Sequence, residues 1–162
     1  MKNFCFVSSS RADYDLLYHL MLRVKYSKKY KFQLIITGSH LFKSSGMTID
    51  KIIKDGFTIN QRIKLSPKTN QKTIIRNISK GISKFTTAYD VLKPDIVILL
   101  GDRFEIFSSA ISAYFLNIPI AHIHGGEVTL SAFDDTIRHS ITKMSQLHFV
   151  SNTIYRNRVI QL

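Results

Sequence analysis

A glycine pair, Gly125-Gly126, lies between His124 and Glu127 and is followed by Asp134, Asp135 and Arg138, so acids, bases and a cation gather around one permissive stretch of backbone. Imidazole exchanges protons near neutral pH, and a carboxylate can act as acid, base or charge stabiliser, so this set suits proton transfer. The plainer alternative is structural: Asp134 and Asp135 complement a helix dipole, and Asp134 with Arg138 forms an i,i+4 pair. His122 and His124 alternate along the preceding apolar run, but a metal site would need a third ligand from elsewhere. Two other places pair small residues with charge. One is Gly101-Asp102-Arg103; the other is Ser8-Ser9-Ser10-Arg11, where helix amides and a guanidinium could hold an anion unless Ser10 or Asp13 simply caps the helix.

These groups need elements to position them. Short apolar runs at 3–8, 32–37, 96–100, 118–123 and 147–151 read as strands, as does 57–65 with imperfect alternation. Ile96 to Leu100 is apolar on both faces, as a central parallel strand requires. Between the strands, Leu16, Leu17, Leu20, Met21 and Val24 mark the core stripe of a first helix, and 48–54 predicts a short one. Ile75, Ile78, Ile82, Phe85, Tyr89 and Leu92 predict a long helix over 71–92, and Phe104, Phe107, Ile111 and Tyr114 predict another. Ser131 with Asp134 has the form of a capping box opening a helix whose stripe is Phe133, Ile137, Ile141 and Met144. Alternating strands and helices predict an α/β fold, a Rossmann-like doubly wound parallel sheet. Its strand ends share one rim, which would carry Arg11, Gly38 to His40, Gly101 to Arg103 and His124 to Asp134. No GxGxxG follows the first strand and no GxxxxGK[ST] occurs, which argues against the common dinucleotide and P-loop sites.

At 162 residues the chain fits one domain with a proper core, and 44% hydrophobic content agrees. The surplus of 23 Lys and Arg over 11 Asp and Glu, net +12, favours anionic partners. It is spread over helix surfaces and does not interleave with a stacking platform, so nucleic acid is not the expected partner. The lone Cys5, with no targeting segment and no apolar stretch of the ~20 residues a membrane span needs, predicts a soluble cytoplasmic protein.

The opening SSSRADYDLL, GDRFE after the central strand, and HIHGGEVT followed by FDDTIRHSITKMSQLHFVSN together resemble the hydrolysing UDP-N-acetylglucosamine 2-epimerases of sialic and legionaminic acid biosynthesis, over essentially the whole chain. The resemblance implies a glycosyltransferase-B-like enzyme of two Rossmann-like domains with substrate between them. Residues 1–162 would be the N-terminal domain; the UDP-binding second domain is absent from the chain and would have to come from a separate partner chain. Little or no turnover is then expected of this chain alone, and a non-catalytic remnant or binding module of the same fold is the competing reading. The implied reaction is anti elimination of UDP across C1 and C2 of the sugar, then hydration of the glycal with inverted C2. The substrate is UDP-N-acetylglucosamine or its 2,4-diacetamido-2,4,6-trideoxy analogue, with no metal or cofactor. Dimers or tetramers are common in the family.

By position, Asp102 and Asp134 match acids important for catalysis, and Arg11 and Arg103 match nucleotide-contacting arginines. Many members read HIEGGE where this chain reads HIHGGE. Either His124 takes over the acid/base role or Glu127 supplies the carboxylate. Leu130-Ser131 also stands where Glu-Gly is expected.

Overall fold

In the computed structural model, which describes residues 1–68, 70–129 and 133–162, the chain forms a parallel sheet of six strands in the order β3-β2-β1-β4-β5-β6. The strands are β1 (Lys2–Ser8), β2 (Tyr30–Thr37), β3 (Gln61–Ile63), β4 (Ile96–Leu100), β5 (Ile120–Ile123) and β6 (Leu147–Phe149). The helices are α1 (Arg11–Lys25), α2 (Ile49–Lys54), α3 (Gln71–Leu92), α4 (Phe104–Phe115), α5 (Asp134–Met144) and α6 (Thr153–Gln161). This is the doubly wound order, and its direction reverses between β1 and β4. A crevice therefore opens where Ser9 leaves β1 and Gly101-Asp102 leaves β4.

Alternation along the strands divides the core in two. Cys5, Val7, Val97 and Leu99 face α3, α4 and α5, whereas Phe6, Leu34, Ile98 and Leu100 face α1 and α2. Fully burying an aliphatic side chain of this kind stabilises the fold by roughly 1.5–3 kcal/mol.

Several sequence expectations change. The first helix buries Tyr14, Leu17, Met21 and Val24, while Leu16 and Leu20 face solvent. α4 buries small residues, Ser108, Ala110, Ser112 and Ala113, and turns Tyr114 outward. The cause is close helix packing. Gly81 of α3 lies against Ser108, and the Ser112 hydroxyl donates to the Ile82 carbonyl at 2.9 Å, so bulky residues are excluded from that seam. The strand expected over 57–65 shortens to Gln61–Ile63, because Phe57 and Leu65 are buried outside the ladder and the Asn60 side chain takes the Leu34 amide. Ile75 and Phe133 are exposed. The proposed capping by Ser131, and the Leu130-Ser131 departure, lie outside the described residues.

Two histidines beneath the rim are fully buried. His40 lies between the Ser8 and Thr48 hydroxyls at 2.8 and 2.5 Å, and His122 Nε2 donates to the Gly101 carbonyl at 2.8 Å. Burial pushes both imidazoles down to about 4. Because the folded values lie below that of an unfolded histidine near 6.5, the unfolded chain binds more protons between those limits, and stability is lost as pH falls through that window. Each histidine contributes up to roughly 3 kcal/mol to this loss. Urea midpoints measured from pH 7.5 to 4.5 should fall steeply, and His122→Gln, which stays neutral, should flatten part of the slope. A pH-independent midpoint would show that these rings are not held neutral.

Candidate functional site

β4 ends at Leu100, and Gly101, with φ of 80°, turns the chain so that Asp102 stands at the crevice. β5 ends at Ile123, and there His124 adopts φ of 63°, a left-handed conformation uncommon for a residue with a side chain. Strain of this kind, of order 1–3 kcal/mol, persists only where the surroundings impose it. Here the imposing contacts are visible. The His124 amide donates to the Phe149 carbonyl at 2.9 Å, its Nδ1–H donates to Glu127 Oε1 at 2.5 Å, and its carbonyl accepts from Arg138 at 2.9 Å.

Arg138 is the centre of the arrangement. It projects from the buried face of α5, beside Ile141 and Thr142, and is only 7% exposed, so its charge requires partners. It donates to the Asp102 carboxylate, to the Thr129 hydroxyl at 2.9 Å and to the His124 carbonyl, with Glu127 Oε2 3.6 Å away. One guanidinium thus joins the loops after β4 and β5. Burial raises the Asp102 carboxyl above the ordinary aspartate range; Arg138 pulls it down and the nearby Asp134 charge pushes it up. A carboxyl raised in this way is better suited to exchange protons near neutrality.

The His124–Glu127 contact has a second consequence. With Nδ1 committed to the carboxylate, the imidazole is fixed in orientation and tautomer, leaving Nε2 for proton transfer. Ser151 also donates to Glu127 Oε1, at 3.1 Å. Asp135 accepts the Thr129 amide at 3.3 Å and faces His139 at 3.4 Å. His122 is committed to Gly101 on one side and faces the Thr142 hydroxyl at 3.2 Å on the other, which places it in support of the rim. Among the described residues no group of three or more His, Cys, Asp or Glu side chains is placed to hold a metal ion.

The glycine pair is clasped from outside by α6. Gly126 has φ of 77°, and an added Cβ would lie 2.5 Å from the Tyr155 carbonyl oxygen and 2.8 Å from Val159, while Arg158 donates to the Gly126 carbonyl. Gly126→Ala should therefore cost about 2–3 kcal/mol through positive φ and overlap. A thermal midpoint lowered by less than about 3 °C would show that α6 yields freely.

The expected site residues separate into groups. Asp102, His124 and Glu127 are brought together through Arg138. Asp134, at the start of α5, lines a groove of about 790 Å³ with Asp102 and Arg103. Arg103 donates to the buried Glu105 carboxylate at 3.1 Å. Arg11 is mostly exposed and pairs with Asp15 at 3.6 Å. Capping at the α1 terminus follows the plainer alternative, since Ser10 accepts the Asp13 amide and the Asp13 carboxylate takes both the amide and the hydroxyl of Ser9. Arg138 was legible only as a helix-surface partner of Asp134. Its place on the same helical face as Ile141 was the available signal, because an arginine within an apolar stripe must meet a buried acid.

The profile of the family described as UDP-N-acetylglucosamine 2-epimerase matches residues 23–162. A GDP/UDP-N,N'-diacetylbacillosamine 2-epimerase (hydrolyzing) of Campylobacter jejuni is 42% identical over 99% of this chain and 42% of its own length. The polysialic acid biosynthesis protein P7 of Escherichia coli is 41% identical over 100% of this chain and 42% of its own. A UDP-N,N'-diacetylbacillosamine 2-epimerase (hydrolyzing) of Legionella pneumophila is 34% identical over 100% and 43%. In fold, the chain matches the crystal structure of the Neisseria meningitidis UDP-GlcNAc 2-epimerase bound to UDP-GlcNAc with a TM-score of 0.83, at 19% identity, over 99% of this chain and 43% of that one. The chain thus spans about two-fifths of the length of the relatives it matches.

Proposed function

The chain belongs to the UDP-N-acetylglucosamine 2-epimerase family, and from that premise we propose that it supplies the acid/base half of a hydrolysing 2-epimerase acting on a UDP-linked 2-acetamido sugar. The observation that carries this reading is the Arg138-centred group, which holds Asp102 and the His124–Glu127 pair at one crevice. Two proton exchanges and one charge separation are what the chemistry demands.

In the first step the C1–oxygen bond breaks, its electron pair leaves with UDP, and a base removes the C2 proton from the opposite face, giving a 2-acetamidoglycal. Positive charge builds on the ring and negative charge on the diphosphate. A fixed carboxylate near the ring and a cation near the phosphates each lower that barrier; Asp102 and Arg103 adjoin on the loop after β4 and suit these parts. In the second step water adds its hydroxyl to C1 while C2 takes a proton on the other face, inverting that centre. His124, oriented by Glu127, can remove the C2 proton on one face, while Asp102 on the other can serve the oxygen at C1 and deliver the returning proton to C2. Asp134, which lines the groove beside Asp102, adds negative charge to that environment. Arg11 sits at the outer rim, where a diphosphate would approach.

Two sugars fit this scheme, UDP-N-acetylglucosamine and its 2,4-diacetamido-2,4,6-trideoxy analogue. The second is the sugar that two of the relatives are named for, at 42% and 34% identity, and the first is named in a third, of N. meningitidis serogroup B, at 29%. The buried free thiol of Cys5 suits a reducing cytoplasm, and no helix among the described residues is long and apolar enough to cross a membrane. Binding energy from the nucleotide normally positions the reacting sugar, and the matched relatives are longer. The chain alone should release UDP very slowly, and mixing it with the C-terminal portion of a relative should restore turnover.

The decisive assay follows UDP release and the product by NMR in deuterated water. One deuterium at C2 with inverted configuration is expected. A product that keeps its C2 proton would sink the elimination route.

A further inference from the structure

The groove beside Asp102 is walled by the N-terminal parts of three helices and is far more apolar than the acids at its edge suggest. Ile74 and Ile78 come from α3, Phe104 and Phe107 from α4, and Ile137 from α5. Asp102, Arg103 and Asp134 line the same space, so the groove is continuous with the proposed reaction centre. Its volume of about 790 Å³ lies within the range of small-molecule sites. Gln71 and Thr136 supply the uncharged polar side chains of its lining. Ile75, 67% exposed, and Phe133, 54% exposed, also line this groove.

We propose that this groove receives the C4–C6 end of the nucleotide sugar and selects a 6-deoxy, 4-acetamido sugar over one bearing hydroxyls at C4 and C6. The inference rests on the function proposed above and specifies which residues discriminate. With C1 and C2 held at Asp102, the remaining ring carbons reach the isoleucine and phenylalanine side chains. A methyl at C6 and the acetamide methyl at C4 bury against that wall, with Gln71 and Thr136 available to the acetamide N–H and C=O, whereas a C6 hydroxyl against the isoleucines would lose water without a partner. Differences of this kind in an apolar pocket are worth roughly tenfold or more in affinity.

The test uses the chain labelled at isoleucine methyl groups, mixed with the unlabelled C-terminal portion of a relative and titrated with UDP, UDP-N-acetylglucosamine and the UDP-linked 2,4-diacetamido-2,4,6-trideoxy sugar. The Ile74, Ile78 and Ile137 methyls should shift with the sugar nucleotides and not with UDP. The trideoxy sugar should bind about tenfold more tightly. Ile53, Ile154 and Ile160, exposed elsewhere, should stay in place. Ile78→Thr should shrink the preference to less than about threefold while binding of UDP-N-acetylglucosamine persists.

Equal affinity for both sugars, or shifts confined to other methyls, overturns the pocket assignment and leaves the epimerase reading standing. Shifts of the groove methyls on dilution of the free protein overturn it too, since they would mark the groove as a contact between copies. If the complemented assembly binds UDP but no sugar nucleotide, both readings fall together.

Discussion

Asp102→Asn should lower UDP release by about a thousandfold in the complemented assembly, within the range for loss of a positioned acid or base. The amide keeps an oxygen for the Arg138 guanidinium, so the loop after β4 should hold its place. What disappears is the exchangeable proton and the charge. Burial already raises the Asp102 carboxyl, opposed by Arg138, and the acid/base role proposed above draws on that balance. Activity and stability should therefore separate, with a fall in thermal midpoint of only a few degrees beside an almost complete loss of turnover. Retention of more than a tenth of the activity would remove Asp102 from the chemistry, and deuterium incorporation at C2 would then point to the His124–Glu127 pair alone.

Arg138→Met should have the largest effect on the fold. Methionine fills the apolar part of the space but strands the Asp102 carboxylate and leaves the His124 carbonyl and Thr129 hydroxyl without their donor. Removing one member of a buried ion pair costs about 3–5 kcal/mol. For a chain of this size that lowers the thermal midpoint by roughly 10 °C. The sign of the pH dependence identifies the cause. An unpaired buried carboxylate is relieved by protonation, so the gap between Arg138→Met and the parent chain should narrow as pH falls toward 4 and widen above 6. Arg138→Lys should recover little, since a single ammonium cannot span partners on two loops as the planar guanidinium does. An equal deficit at every pH would attribute the loss to packing.

Much of this architecture could be read from residue order. Val97, Leu99 and their neighbours are apolar on both faces because helices cover both faces, and the glycines after β4 and β5 mark strand ends where backbone must turn. Helix faces were harder. In α1 and α4 two apolar stripes lie side by side, and periodicity alone does not say which one meets the sheet; in α4 Ile106, Ala110 and Ala113 are fully buried, Phe104 and Phe107 pack only partly against the core, and serines meet α3 where it approaches closely. Asp102, His124 and Glu127 stood out by type and position, but their joining through Arg138 depends on contacts between residues 36 and 14 positions apart, which no local pattern records. His124 and Glu127, posed as alternatives, are hydrogen-bonded to each other, a contact that no local pattern records either.

The clasp on Gly126 links regions otherwise treated separately. Ser151 and Arg158 hold Glu127 and the neighbouring carbonyl from the chain that follows β6, and the tight fit at Gly126 leaves no slack between them. A tilt of α6 would act as a lever, swinging the Glu127 carboxylate and with it the ring of His124. The aim of the His124 ring, the base proposed above, is thereby tied to the seat of α6.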